Sequence, residues 1–234
     1  MHEAVPELVT LHLWRVPRRA VPAAMARMAT DRRPVRSQPG IRFAKLLGTG
    51  DGRTFTVRDS DLRRWGLLAT WADRASARAF ERSATAARWR RLAEEAWRVE
   101  LRPLASRGRW SGREPFGTPR GGRWEGPVAA VTRARLALTR SAAFWRAVPP
   151  VSTDLAGRPG LRLAVGIGEA PVGLQGTFSL WESSRALREF AYGGAPHRAV
   201  AERTYRERWY AEELFARFAV EHAVGSVDGR DPLA

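Results

Sequence analysis

The chain has 234 residues, 44% of them hydrophobic, with a formal net charge of +16 and a sequence pI near 11.6; that length suffices for one large domain or two small ones sharing a core. It contains no cysteine, which excludes disulfides, cysteine-ligated zinc, iron–sulfur clusters and thiolate-ligated haem, so any metal rests on histidine or carboxylate. No apolar run approaches the ~20 residues of a membrane span, and the opening MHEAVPELVT lacks a signal-peptide pattern, so a soluble, cytoplasmic protein is expected.

From Glu7 to Val16, ELVTLHLWRV alternates with Val9, Leu11 and Leu13 on one face and Thr10, His12 and Trp14 on the other, the period of a strand. Residues 18–30 space Val21, Met25 and Met28 along one helical face, with Pro22 tolerable only in the first turn. GIRFAKLLGTG (40–50) and RWGLLATWA (64–72) read as strands. Asp73 is a candidate N-cap for a helical stretch to about Glu95 that breaks near Ser83 and Ala84, and RVELRPLAS (98–106) closes the unit. A second pass has the same order: strand VAAVTRARL from Val128, helix 139–148, strands 160–169 and 174–182, helices 184–192 and 197–208, strand 213–222. RWGLLATWADRASARAF lies against LQGTFSLWESSRALREF so that Gly66 meets Gly176, Trp71 meets Trp181 and Phe80 meets Phe190 at one offset.

The fold class is therefore α+β: tandem ferredoxin-like β-α-β-β-α-β repeats, 7–106 and 128–224, forming a dimeric α/β-barrel-type fold within one chain. Each four-stranded sheet has helices on one face only, and fusion lets the copies cover each other's bare faces, by stacking or by closing a barrel. The intervening residues 107–127 are rich in Gly and Arg yet carry Trp110, Phe116 and Trp124. A flexible spacer needs no such aromatics, so an ordered crossing segment covering a cavity is expected.

Lys45 is the only lysine, and the arginines are spread along the chain instead of gathering in an arm or stripe. That distribution fits compositional bias better than a nucleic-acid footprint, and no specific nucleic acid is expected. Trp14, Trp71, Trp89, Trp145, Trp181 and Trp209 fall inside predicted elements and are assigned to core packing, a minority being available to line an apolar pocket. GIGEAP (166–171) is too short for a phosphate loop, and Glu212 and Glu213 straddle the two faces of a strand start.

Of the four histidines, His12 is read either as a satisfied core residue or as facing the space between the sheets. His197 follows YGGAP at a helix start, where the positive end of the helix dipole favours neutral imidazole with a lone pair free for a metal. Small residues Val200, Ala201 and Thr204 continue its face, and Arg203 or Arg206 is placed to reach an anionic group of a planar macrocycle. Spacing alone favours a solvated helix-start histidine over a ligand. In the first copy Ala87 stands at the position of His197, so only the second copy offers this ligand.

GIRFAKLLGTG, VAAVTRARL with AAFWRAVP, GIGEAP with QGTFSLW, and FAYGGAPHRAVAERTYRERWYAEELFARF together resemble the spheroidene monooxygenase family of carotenoid ketolases, over most of residues 8–220. The resemblance implies haem b, kinship in fold to aldoxime dehydratases and chlorite dismutases, and His197 as axial ligand. Arg133, Gln175, Thr177, Arg203 and Thr204 are the expected further contacts, in a pocket between the repeats. It implies a monooxygenase-like oxidoreductase acting on a hydrophobic small molecule such as a carotenoid. An electron donor, either ferredoxin-like or a flavin reductase, and peripheral membrane contact are implied partners, in a monomer or homodimer. Histidine ligation lacks the electronic push of thiolate, so a haem-dependent dehydratase or nitrogen-oxidising enzyme suits the same scaffold, as does a cofactor-free barrel for an apolar ligand.

Overall fold

A computed structural model describes residues 3–50, 59–136, 157–170, 176–193 and 210–234. The first repeat runs β1 (Leu8–Arg15), α1 (Val21–Thr30), α2 (Arg32–Arg36), β2 (Ile41–Gly50), β3 (Ser60–Trp71), α3 (Arg74–Glu81), α4 (Ala84–Leu92) and β4 (Glu95–Gly108). The second runs β5 (Val128–Leu136), β6 (Leu161–Gly168), β7 (Gly176–Trp181), α5 (Ser184–Gly193) and β8 (Tyr210–Gly225). The helices expected over 139–148 and 197–208 lie outside the described residues.

Every strand pairing is antiparallel, and the strand order β1-β3-β2-β6-β7-β5-β8-β4 closes on itself. Each repeat thus contributes the ferredoxin-like order, and the two sheets join edge to edge instead of stacking, which leaves no open sheet edge. One seam, β4 with β8, is paired from Trp97 with Gly225 to Gly108 with Leu214. Arg74 reinforces it by binding Glu100 (3.2 Å) and Glu221, while Arg102 also binds Glu221 (2.8 Å). Among the described residues the other seam joins β2 to β6 at Gly48 with Gly168, Thr49 with Ile167 and Gly50 with Gly166.

Strand alternation decides what lies inside. Val9, Leu11 and Leu13 of β1 point into the barrel with Val99, Val131, Val165, Ile167, Phe178, Leu214 and Phe218. Leu8, Trp14 and Val16 point outward, against α1–α4, in a second core with Trp65, Trp71, Phe80 and Trp89. Because side chains alternate with period two, a one-residue slip would reverse every one of these placements. The break between α3 and α4 has a local cause: Asp73 accepts from the N–H of Ser76 (2.7 Å) and Ser83 from that of Ala86 (3.2 Å), so each helix has its own N-cap.

One expectation is met and one corrected. Of the two readings of His12 the core one holds: it is buried and points outward beneath α3, where its Nε2 binds Glu81 (2.7 Å) and its ring stacks on Trp14. The segment after β4 does not cover a cavity but fills one. Gly108, at φ +87°, brings the chain so close to β8 that a Cβ would meet the Glu213 carbonyl at 2.2 Å. Trp110 and Phe116 then enter the barrel interior, Phe116 packing edge-on to Phe218 at 4.8 Å. The described part of the barrel interior is therefore occupied by buried side chains from both repeats and the crossing segment. No described helix is long and apolar enough to cross a membrane.

Candidate functional site

The register superposes the two repeats without ambiguity, since Leu8, Trp71 and Ile41 are mutual partners in the first and Val128, Trp181 and Leu161 in the second. On the outer face, where the first repeat has His12, Trp14, Leu46 and Leu67, the second has Thr132, Ala134, Gly166 and Thr177. All four first-repeat residues are buried, at 6% exposure or less. Thr132 is exposed, and Ala134 and Thr177 are half-buried. The cross-strand pair Leu46–Leu67 becomes Gly166–Thr177, with Gly166 buried, so the described part of the second outer face carries smaller side chains than the first, a slot between strands β5, β6 and β7.

Helix α5 covers only one end of this face, through Ala186 and the stack of Phe190 on Trp181 at 5.1 Å. The Trp181 indole donates to Ser179 (2.9 Å), and Thr132 and Thr177 add hydroxyls to the described part of this face. The described chain resumes at Tyr210, which pairs with Leu136, two positions beyond Ala134 along β5. His197, Arg203, Thr204 and Gln175 lie outside the described residues.

Arg133 and Thr177 do not share a site, because alternation puts them on opposite sides of the sheet. Arg133 points inward, taking the position of Leu13 in the first repeat, and is 3% exposed. Its guanidinium donates to Glu169 (2.6 Å) and Glu212 (2.7 Å) and lies 5.2 Å from the Trp110 ring centroid. Both of these carboxylates thus hold its guanidinium inside the barrel. Lys45 completes the cluster by donating to Glu169 (2.5 Å) and Ser111 (2.6 Å), and Trp110 donates to Glu169 (2.7 Å). Glu212 accepts the backbone N–H groups of Ser111 (2.9 Å) and Gly112 (2.7 Å), while Glu213 lies on the opposite side of β8.

Two cations thus face two carboxylates at one end of the barrel, tying β2, β5, β6, β8 and the crossing segment together. Burial alone would raise the Glu169 carboxyl, but hydrogen bonds from Lys45 and Trp110 and the charges of Lys45 and Arg133 hold it below the ordinary carboxylate range. Glu212 is likewise held low against burial, by the Gly112 and Ser111 amides and by Arg133. A depressed folded-state value supplies stability that is present above the unfolded value of about 4.3 and is lost as pH falls through the folded one. Glu169→Gln is therefore expected to flatten the loss of stability between about pH 5 and pH 3. Urea unfolding midpoints measured along that range check it; a slope unchanged from wild type would show that the cluster does not carry the acid sensitivity.

Sequence reasoning missed Lys45, Trp110, Glu169 and Glu212. One signal was present: Lys45 sits between Phe43 and Leu47, both inward, so alternation already placed the chain's single lysine inside the barrel.

No family model matches the chain. Among curated proteins it is similar to spheroidene monooxygenase of Rhodobacter capsulatus, 35% identical over 223 residues, covering 92% of this chain and 90% of that protein. It is 40% identical over 200 residues to spheroidene monooxygenase of Rubrivivax gelatinosus, covering 84% and 75%. Against that of Cereibacter sphaeroides it is 33% identical over 211 residues, covering 89% of this chain but 65% of the relative, so it spans about two thirds of that protein's length. Among solved structures it resembles aldoxime dehydratase, with a TM-score of 0.60 at 13% identity, covering 96% of this chain and 86% of the other. It also resembles an aldoxime dehydratase in complex with butyraldoxime (TM-score 0.59, 11% identity, covering 94% and 82%). The structural likeness establishes the tandem-repeat barrel, and the sequence likeness places the chain in the spheroidene monooxygenase family.

Proposed function

We propose that this chain is an oxygen-dependent oxidoreductase acting on a carotenoid-type polyene, with haem b lodged on the outer face of the second half-sheet and His197 as its axial ligand. The observation that carries the reading is the asymmetry of the two outer faces. A large planar group needs a surface free of bulky side chains, and among the described residues Ala134, Gly166 and Thr177 stand where the first repeat has Trp14, Leu46 and Leu67, in the repeat that carries a histidine opposite Ala87. The names of the curated relatives support the reaction class and the polyene.

Within this reading Thr132 and Thr177 present hydroxyls to the bound group, and the Trp181–Phe190 stack shields one end of the slot from water. Arg203 and Thr204 belong to the same segment as His197 and are the proposed further contacts. When bound, the haem supplies activation of dioxygen, with electrons from an external donor such as a ferredoxin-like protein or a flavin reductase. The buried cluster of Arg133, Glu169, Glu212 and Lys45 plays no part in binding it and instead fixes the strand ends beneath the slot. Purified protein supplied with haemin, a reductant and micellar spheroidene under isotopically labelled dioxygen is expected to yield a product carrying the label. No product, or a product without label, from protein that has taken up haem would sink the assignment.

A further inference from the structure

Beside the Gly48–Gly168 pair of the β2–β6 seam, α2, β2 and Glu169 after β6 border a cavity of about 140 Å³. Val35 and Leu46 form its apolar floor, and Arg32, Arg36, Lys45 and Glu169 form its walls. Among the described residues three cations and one carboxylate line it. Glu169 is also shared with Arg133, whose second partner is Glu212, so the buried cluster is neutral by itself and Arg32 and Arg36 are in excess.

Arg32 is held in place with no acidic partner among the described residues. Its Nε donates to the carbonyl of Met28 (3.2 Å) and one Nη to the carbonyl of Glu169 (3.1 Å), leaving the other Nη, with its two hydrogens, for a ligand. Lys45, spending two of its three N–H donors on Glu169 and Ser111, keeps a third. A compact ammonium suits this half-enclosed corner where a guanidinium fork would not, which gives the one lysine among forty basic residues a physical reason.

We propose that this cavity is a phosphate-binding site, independent of the haem reading. Its volume is below the roughly 300 Å³ of a whole small-molecule pocket yet several times the ~30 Å³ share of one water, so it fits a tetrahedral oxyanion whose substituent leaves through the opening. Two guanidiniums beside an ammonium match a dianion better than a carboxylate. The headgroup of phosphatidic acid and a soluble phosphate monoester offer the same chemistry.

The test titrates full-length protein calorimetrically with inorganic phosphate and with phenyl phosphate, and sediments it with phosphatidylcholine vesicles with and without phosphatidic acid. Arg32→Gln/Arg36→Gln, both at exposed positions, is compared with Arg82→Gln/Arg91→Gln, which removes equal charge from exposed positions on or beside α4. Binding that falls at least about tenfold in the first variant and stays at the wild-type level in the second supports the site. Retention by vesicles alone assigns a lipid source, and binding of the soluble phosphates alone a free one. Protection of Lys45 from acetylation by the same ligands, read by mass spectrometry, is expected alongside. No binding of any of these probes, or equal losses in both variants, overturns the proposal.

Discussion

Arg133→Ala is expected to lower the unfolding free energy by about 3–5 kcal/mol, the usual cost of removing one partner from a buried ion pair. The guanidinium is 3% exposed and is the one group that bonds both Glu169 and Glu212. Its removal leaves Glu169 with Lys45 and Trp110 and Glu212 with two backbone amides, each carboxylate short of one charge-assisted bond. Trp110 also loses the cation over its ring, at the point where the crossing segment plugs the barrel. Five separate parts of the chain meet at this cluster, so the loss is felt globally. For a protein of this size it corresponds to a fall in thermal midpoint of roughly 6–20 °C. Urea unfolding decides the matter: a change below about 1 kcal/mol would put these pairs in the class of weak, solvent-screened surface bridges.

How much of this was legible in the sequence depends on the range of the signal. Strand alternation is local, and the division of β1 into an inward Val9, Leu11, Leu13 face and an outward Thr10, His12, Trp14 face can be read from eight residues. The duplication is equally legible, because Trp71 and Trp181 hold equivalent places in their sheets. What alternation does not carry is which edges join or what fills the enclosed space. Arg133 reads as an unattached arginine, since its partners lie 36 and 79 residues away and become neighbours only when β5 pairs with β8 and β7 with β6. Strand ends escape for a similar reason: β3 begins at Ser60, earlier than its apolar run, because Asp61 finds a cross-strand partner in Thr49. The aromatics of the crossing segment announced order, but only the barrel's closure shows that Trp110 and Phe116 serve as its filling.

The slot itself was visible only once the repeats were superposed strand by strand, and it leads to the second expected result. Gly166→Leu combined with Thr177→Leu rebuilds in the second repeat the Leu46–Leu67 pair of the first. Gly166 is not in the left-handed region, and leucine is the residue the equivalent positions already carry, so the barrel is expected to fold. The two added side chains project from the outer face onto the surface assigned to the macrocycle, and haem uptake is expected to be lost while the far-UV circular dichroism of the folded barrel is kept. The absorption spectrum of purified protein after reconstitution with haemin, recorded before and after reduction, tests the account most directly. Wild type is predicted to show a Soret band that is absent from both His197→Ala and Gly166→Leu/Thr177→Leu. A wild-type protein that stays colourless, or a folded double-leucine variant that keeps the full wild-type band, would contradict it.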